Sequence, residues 1–163
     1  MASTDQYLAR YATALQPHVP EPIRAVGILC RPGALGNALV YQASPMVAMI
    51  RNRSAKKASG GLPPNLAVAA TETRIHLFDY RPTNRGLKVK REVLVLDRST
   101  FQVAFDQPGT LAQRVRFFFT DGSQLELDAN KTLAKWSDFH TPLFAELARQ
   151  IMVHPPAWAD GPA

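Results

Sequence analysis

Residues 66–127 repeat one pattern: short runs rich in β-branched, aromatic and other apolar residues, separated by turn residues. The runs lie at 66–70, 75–80, 88–96, 101–105, 114–119 and 124–127. Parallel strands need a crossover of a dozen or more residues, commonly a helix. None of the links here has room for one, so the strands must run antiparallel as a meander. Thr71-Glu72-Thr73-Arg74 is a tight turn, 81–86 a polar loop, and Asp97-Arg98-Ser99 a further turn. Pro108-Gly109 marks the next loop. Asp121-Gly122 predicts a type I′ hairpin turn, which needs positive φ at both central residues. An apolar run at 23–30 precedes these six and makes seven strands.

The flanks have a different periodicity. Ser3 or Thr4 is placed to cap a helix over residues 3–15, where Tyr7, Leu8, Tyr11 and Leu15 share a face. Pro17, Pro20 and Pro22 end it and form a stiff linker. At the other end Leu133, Trp136, His140, Leu143, Phe144, Leu147 and Ile151 recur at spacings of three and four, which predicts an amphipathic helix. Thr141-Pro142 either starts a new helix or kinks a long one. The domain reading is a helix and linker over 1–21, a β domain over 22–153 with an inserted segment at 31–65, and a flexible tail over 154–163. Whether the insert is ordered, and what the N-terminal helix does, are left open by the residues alone.

Within 163 residues, 46% of them hydrophobic, one domain with a packed core is expected. One cysteine, Cys30, excludes a disulfide framework and a multi-cysteine metal site. The first residues lack a basic stretch followed by an apolar run, and the apolar segment 38–50 is broken by Gln42, Ser44 and Pro45. These features predict a cytoplasmic protein. The net charge of +6 is unevenly placed. Residues 22–91 hold twelve Lys or Arg against two acids, Glu72 and Asp79, whereas residues 92–163 carry a net −3. Such asymmetry points to an anionic partner or, more plainly, to a solvated basic loop.

Seven strands followed by one helix resemble the plan of pleckstrin-homology-like domains. Residues 66–78, an apolar strand running through a Thr-x-x-Arg turn into a second strand, are similar to a hairpin of bacterial PH-like and GRAM-like domains. Phe117-Phe-Phe-Thr-Asp-Gly-Ser-Gln-Leu-Glu-Leu resembles the last hairpin of that family. Gly60-Gly61-Leu62-Pro63 also looks like a stretch carried by uncharacterised actinobacterial proteins. The resemblance covers residues 23–152. It implies a mainly β, seven-stranded antiparallel barrel or sandwich with a C-terminal capping helix, preceded here by the short N-terminal helix. It also implies a binding module that engages a peptide at a sheet edge or in the groove beside the terminal helix.

In such a meander the link from strand one to two and the link from three to four lie at one end. Arg51, Arg53, Lys56 and Lys57 in the first link would join Arg81, Arg85 and Lys88 in the second as a cationic rim. Converging Lys and Arg bind phosphate groups through charge-assisted hydrogen bonds. Only Arg31 stands at the end of the first strand, so general attraction to anionic phospholipid is expected rather than one inositol lipid. Tyr80 beside Arg81 is the one aromatic–cation pairing that nucleic acid would use, which makes that partner the weakest of the three. Gly33-Ala-Leu-Gly36 lacks the context of an RNA-binding GxxG loop.

No GxSxG, HExxH or Walker sequence is present, and no cofactor or metal is expected. Cys30 and His76 are a conceivable dyad on adjacent strands. His18 and His154 sit in Pro-rich flanks, and Glu126 and Asp128 are solvent-facing acids on one strand face. The reading is a non-catalytic cytoplasmic binding module for a protein partner, with peripheral association at the inner face of an anionic membrane as the alternative. The oligomeric state stays open.

Overall fold

The computed structural model describes residues 3–32, 62–106, 112–130 and 139–150. Helix α1 (Thr4–Leu15) opens the chain. Ser3 and Gln6 form a reciprocal cap: the Gln6 amide donates to Ser3 Oγ at 3.3 Å and the Ser3 amide to Gln6 Oε1 at 3.2 Å. This satisfies two donors that a helix start otherwise leaves open. A 3-10 turn at Gln16–His18 follows, and the Gln16 side chain bonds the carbonyls of Val19 and Glu21 and the amide of Ile23. The Pro-containing linker is thus folded back on itself.

Seven strands come next: β1 (Ala25–Cys30), β2 (Asn65–Ala70), β3 (Arg74–Thr83), β4 (Gly86–Asp97), β5 (Phe101–Asp106), β6 (Ala112–Phe119) and β7 (Gln124–Asn130). Helix α2 (Thr141–Leu147) closes the described chain, with Pro142 in its first turn and a 3-10 turn at Ala148–Gln150 after it. The expected start of that helix at Leu133 and Trp136 lies outside the described residues.

All strand pairs are antiparallel, in the order β4-β3-β2-β1-β7-β6-β5. The antiparallel pairing is as expected, but the order is not a simple meander: β1 pairs with β7, and β4 and β5 are the two edges, so the sheet does not close into a barrel. The seam explains the shape. β1 pairs with β2 at six positions but meets β7 only at Cys30–Asp128. Along the rest of β1 the inner face receives α2 instead. A Cβ built on Gly27 would lie 2.6 Å from Leu143 Cδ2 and 3.2 Å from its Cβ, so the missing side chain is the helix's seat.

Two apolar layers result. One lies between the sheet halves and holds Leu29, Leu66, Val68, Ile75, Leu77, Phe101, Val103, Phe117 and Leu127 with Leu143 and Leu147 of α2. The other lies on the opposite face of β1–β4, where Tyr11, Leu15 and Val19 cover Val26, Ala67, Ala69, Phe78 and Leu87. Helix α1 lies mainly against β4 and β1, and β2, buried on both faces, reads as a continuous apolar run.

Two local expectations change. The polar loop expected at 81–86 is mostly strand: Arg81 pairs with Lys88 and Thr83 with Gly86, leaving Asn84 and Arg85 as the tip. Pro82 is tolerated because β2 ends level with Tyr80, so no neighbouring strand asks for its missing N–H. The Asp121-Gly122 turn is not type I′, since Gly122 alone has positive φ (+88°) and Asp121 does not. The Gly122 amide donates to the Phe119 carbonyl at 3.0 Å and the Phe119 amide to Ser123 at 2.9 Å. This is a three-residue loop, a type I turn followed by a left-handed glycine.

Candidate functional site

The register puts the first and third links at one end of the sheet. Cys30 is opposite Asn65, and counting back from the Ala67–Phe78 pair sets Asn65 level with Tyr80 and Val89. The stem of the insert is tied there: the Arg31 amide donates to the Pro64 carbonyl and its Nη1 to the Leu62 carbonyl, both at 3.1 Å. Arg31 is 2% exposed, and burial lowers its pKa. It acts as a clasp rather than a surface cation. Arg51, Arg53, Lys56 and Lys57 fall outside the described residues.

Arg81, Arg85 and Lys88 are exposed at that end, joined on β4 by Lys90 and Arg91. Arg81 and Lys88 stand directly opposite across the ladder. Like charges so placed repel, which is a local cost to the hairpin. Among the described residues, Arg81, Arg85, Lys88 and Arg91 have no ion-pair partner, and Lys90 reaches Asp79 only at 3.8 Å. Arg10 of α1 borders the same tip: a Cβ on Gly86, whose φ is +145°, would lie 3.5 Å from Arg10 Cβ.

The other arginines behave differently. Arg114 holds Asp128 through Nε at 2.8 Å and Nη2 at 3.2 Å, and Arg116 reaches Asp106 and Glu126. Hydrogen bonding to Asp128 outweighs burial and raises the Arg114 pKa. Asp128 is 5% exposed, so it is a buried, paired carboxylate and not the solvent-facing acid expected from alternation. Hairpin arithmetic carried the signal, since Arg114 and Arg116 fall opposite Asp128 and Glu126. At the far end of the sheet Arg24, Arg98 and Arg149 pair with Glu72 and Glu146. Sequence charge counting missed this division between neutralised and unpaired cations.

Tyr80 turns toward the layer under α1, away from Arg81, and burial raises its phenol pKa. Phe117 and Phe118 are buried, and Phe101 packs edge-on against Phe117 at 5.3 Å. The Cys30–His76 dyad does not form, because β2 lies between their strands and His76 Nδ1 is 2.9 Å from Glu92 instead. Burial, with the Asp128 charge, pushes the Cys30 thiol up to about 11, which suppresses the nucleophilic thiolate. His140, packed against Phe139 and Phe144, is pushed down to about 4 by burial. His18 is exposed beside Phe78, and His154 is outside the described residues.

Among the described residues no group of three His, Cys, Asp or Glu side chains is placed to hold a metal ion, and no helix is long and apolar enough to cross a membrane. An open hollow lined by Ala12, Thr13, Gln16, Pro17 and Ile23 contains no ionisable group. Comparison with protein-family models, curated proteins and solved structures returns no match.

Proposed function

We propose that this chain is a non-catalytic, PH-like binding module whose working surface is the cationic end of the β3–β4 hairpin, and that this surface docks on anionic phospholipid membrane. The observation that carries the reading is the split between cations. Arg24, Arg98, Arg114, Arg116 and Arg149 are matched with carboxylates, whereas Arg81, Arg85, Lys88 and Arg91 are exposed and have no carboxylate partner among the described residues. A self-repelling Arg81–Lys88 pair gains from an anion placed over it. Each Lys or Arg near an acidic bilayer contributes about 1 kcal/mol, so four give an affinity that salt readily weakens.

The test is co-sedimentation of the protein with vesicles of phosphatidylcholine alone and of phosphatidylcholine with phosphatidylserine, at low and moderate salt. Binding to the acidic vesicles only, lost in Arg81→Glu/Lys88→Glu, is the expected result. Equal binding by that variant, or none by the wild type, would overturn the reading.

A protein partner is the second reading, and the contrast between the two sheet edges favours it. β4 carries lysines and two register shifts against β3, both of which discourage strand addition. β5 pairs regularly with β6, and its residues 101–105 are uncharged. An extended peptide would add beside β5. Pull-down that survives the Arg81→Glu/Lys88→Glu change would select this reading.

A further inference from the structure

The end of the sheet opposite the hairpin holds a second cation cluster with unusual coordination. Arg24 precedes β1, Arg98 lies in the turn between β4 and β5, and Arg149 follows α2. Their guanidinium groups converge on a single atom, Glu146 Oε1 of α2, at 3.0, 2.9 and 2.6 Å. Among the described residues no donor reaches the other oxygen of Glu146. A carboxylate ordinarily spreads arginine donors over both oxygens in side-by-side pairs. Three guanidiniums crowded on one oxygen leave donor capacity unused. The Arg98 side chain is only 9% exposed, and its Nε is buried without an acceptor. The nearby carboxylate, Glu72, bonds Arg24 and Arg149 but is 57% exposed, so it is free to swing into solvent.

A phosphoryl or sulfuryl group presents three acceptor oxygens in a pyramid, which matches three converging guanidiniums better than one carboxylate oxygen does. We propose that Arg24, Arg98 and Arg149 form a binding site for a tetrahedral oxyanion, and that Glu146 is its built-in occupant. The same carboxylate ties α2 to the sheet beside the Leu143–Gly27 seat. Binding of the oxyanion therefore displaces the Glu146 carboxylate, while Arg149 on the same segment stays in the site. A tethered competitor acts at an effective concentration in the millimolar range, so the wild-type site opens only to millimolar or tightly held ligands.

The experiment is thermal unfolding of wild type and Glu146→Gln with inorganic phosphate, each compared with chloride at equal ionic strength. Phosphate should raise the midpoint of Glu146→Gln, and wild type should need roughly 10-fold more phosphate for the same shift. Adding Arg149→Gln should remove the effect. Glycerol phosphate in place of phosphate tells an esterified group from the free ion. If Glu146→Gln does not fold, a phosphate titration of the wild type followed by the guanidinium NMR resonances of Arg24, Arg98 and Arg149 replaces it. Phosphate should then shift those resonances where chloride at equal ionic strength does not. Phosphate and chloride acting alike in the measurement made would overturn the proposal.

Discussion

At the residue scale, the absence of a side chain at position 27 does more than most side chains in the fold. Leu143 enters the space that a Cβ would fill, so α2 sits directly on β1. Gly27→Ala must either rotate Leu143 or lift the helix. Overpacking of this kind costs about 1–3 kcal/mol. Chemical denaturation should show that loss, together with faster exchange at α2. A change below about 0.5 kcal/mol would mean that α2 has room to shift. Gly122 occupies a position of another kind: nothing lies within 4 Å of its Cβ direction, and what it supplies is the backbone angle, φ +88°.

At the element scale, α1 is part of the core rather than an appendage. Its inner face buries Tyr11 and Leu15, with Tyr11 edge-on to Phe139 at 5.3 Å. Leu15 is fully buried against the outer face of β1–β4. Leu15→Ala should therefore cost about 2–5 kcal/mol in urea unfolding, the range for a core leucine. An α1 that contributed only local helix would lose a few tenths. The amphipathic face and the Ser3 cap were legible in the residues. The surface that α1 covers was not, because part of it belongs to β4, some seventy residues away in sequence. The α2 plug was legible from the spacing of His140, Leu143 and Leu147, all buried.

At the scale of the whole molecule, the cations divide by what faces them. Arg114 covers the buried Asp128, so Arg114→Ala leaves a carboxylate without its partner. Breaking a buried pair from one side costs about 3–5 kcal/mol, less here because Arg114 itself is 19% exposed. Arg81→Ala, removing an exposed cation that repels Lys88, should leave stability within about 0.5 kcal/mol or raise it. Comparing the two by denaturation separates structural arginines from those available to a ligand. Equal losses would mean that the hairpin cations are structural as well.

The residue pattern by itself determined seven antiparallel strands, a capped helix before them and an apolar helix after them. Those follow from periodicity and short links, which act over neighbouring residues. It also placed Arg81, Arg85 and Lys88 at the insert's end of the sheet, since a meander returns alternate links to one end. Tertiary structure alone decided that the sheet stays open, with β4 and β5 as unpaired edges, and that a single register pair at Cys30 joins its halves while α2 sits along the rest of β1. It decided which cations are neutralised, since Coulomb pairing depends on distances that chain order does not set: Glu146 meets Arg24 across 122 positions of sequence. The turn at Asp121-Gly122 lies between these cases. Its place was legible, but its type was set by which residues of β6 and β7 face each other, a register fixed by the buried Phe117 and Leu127.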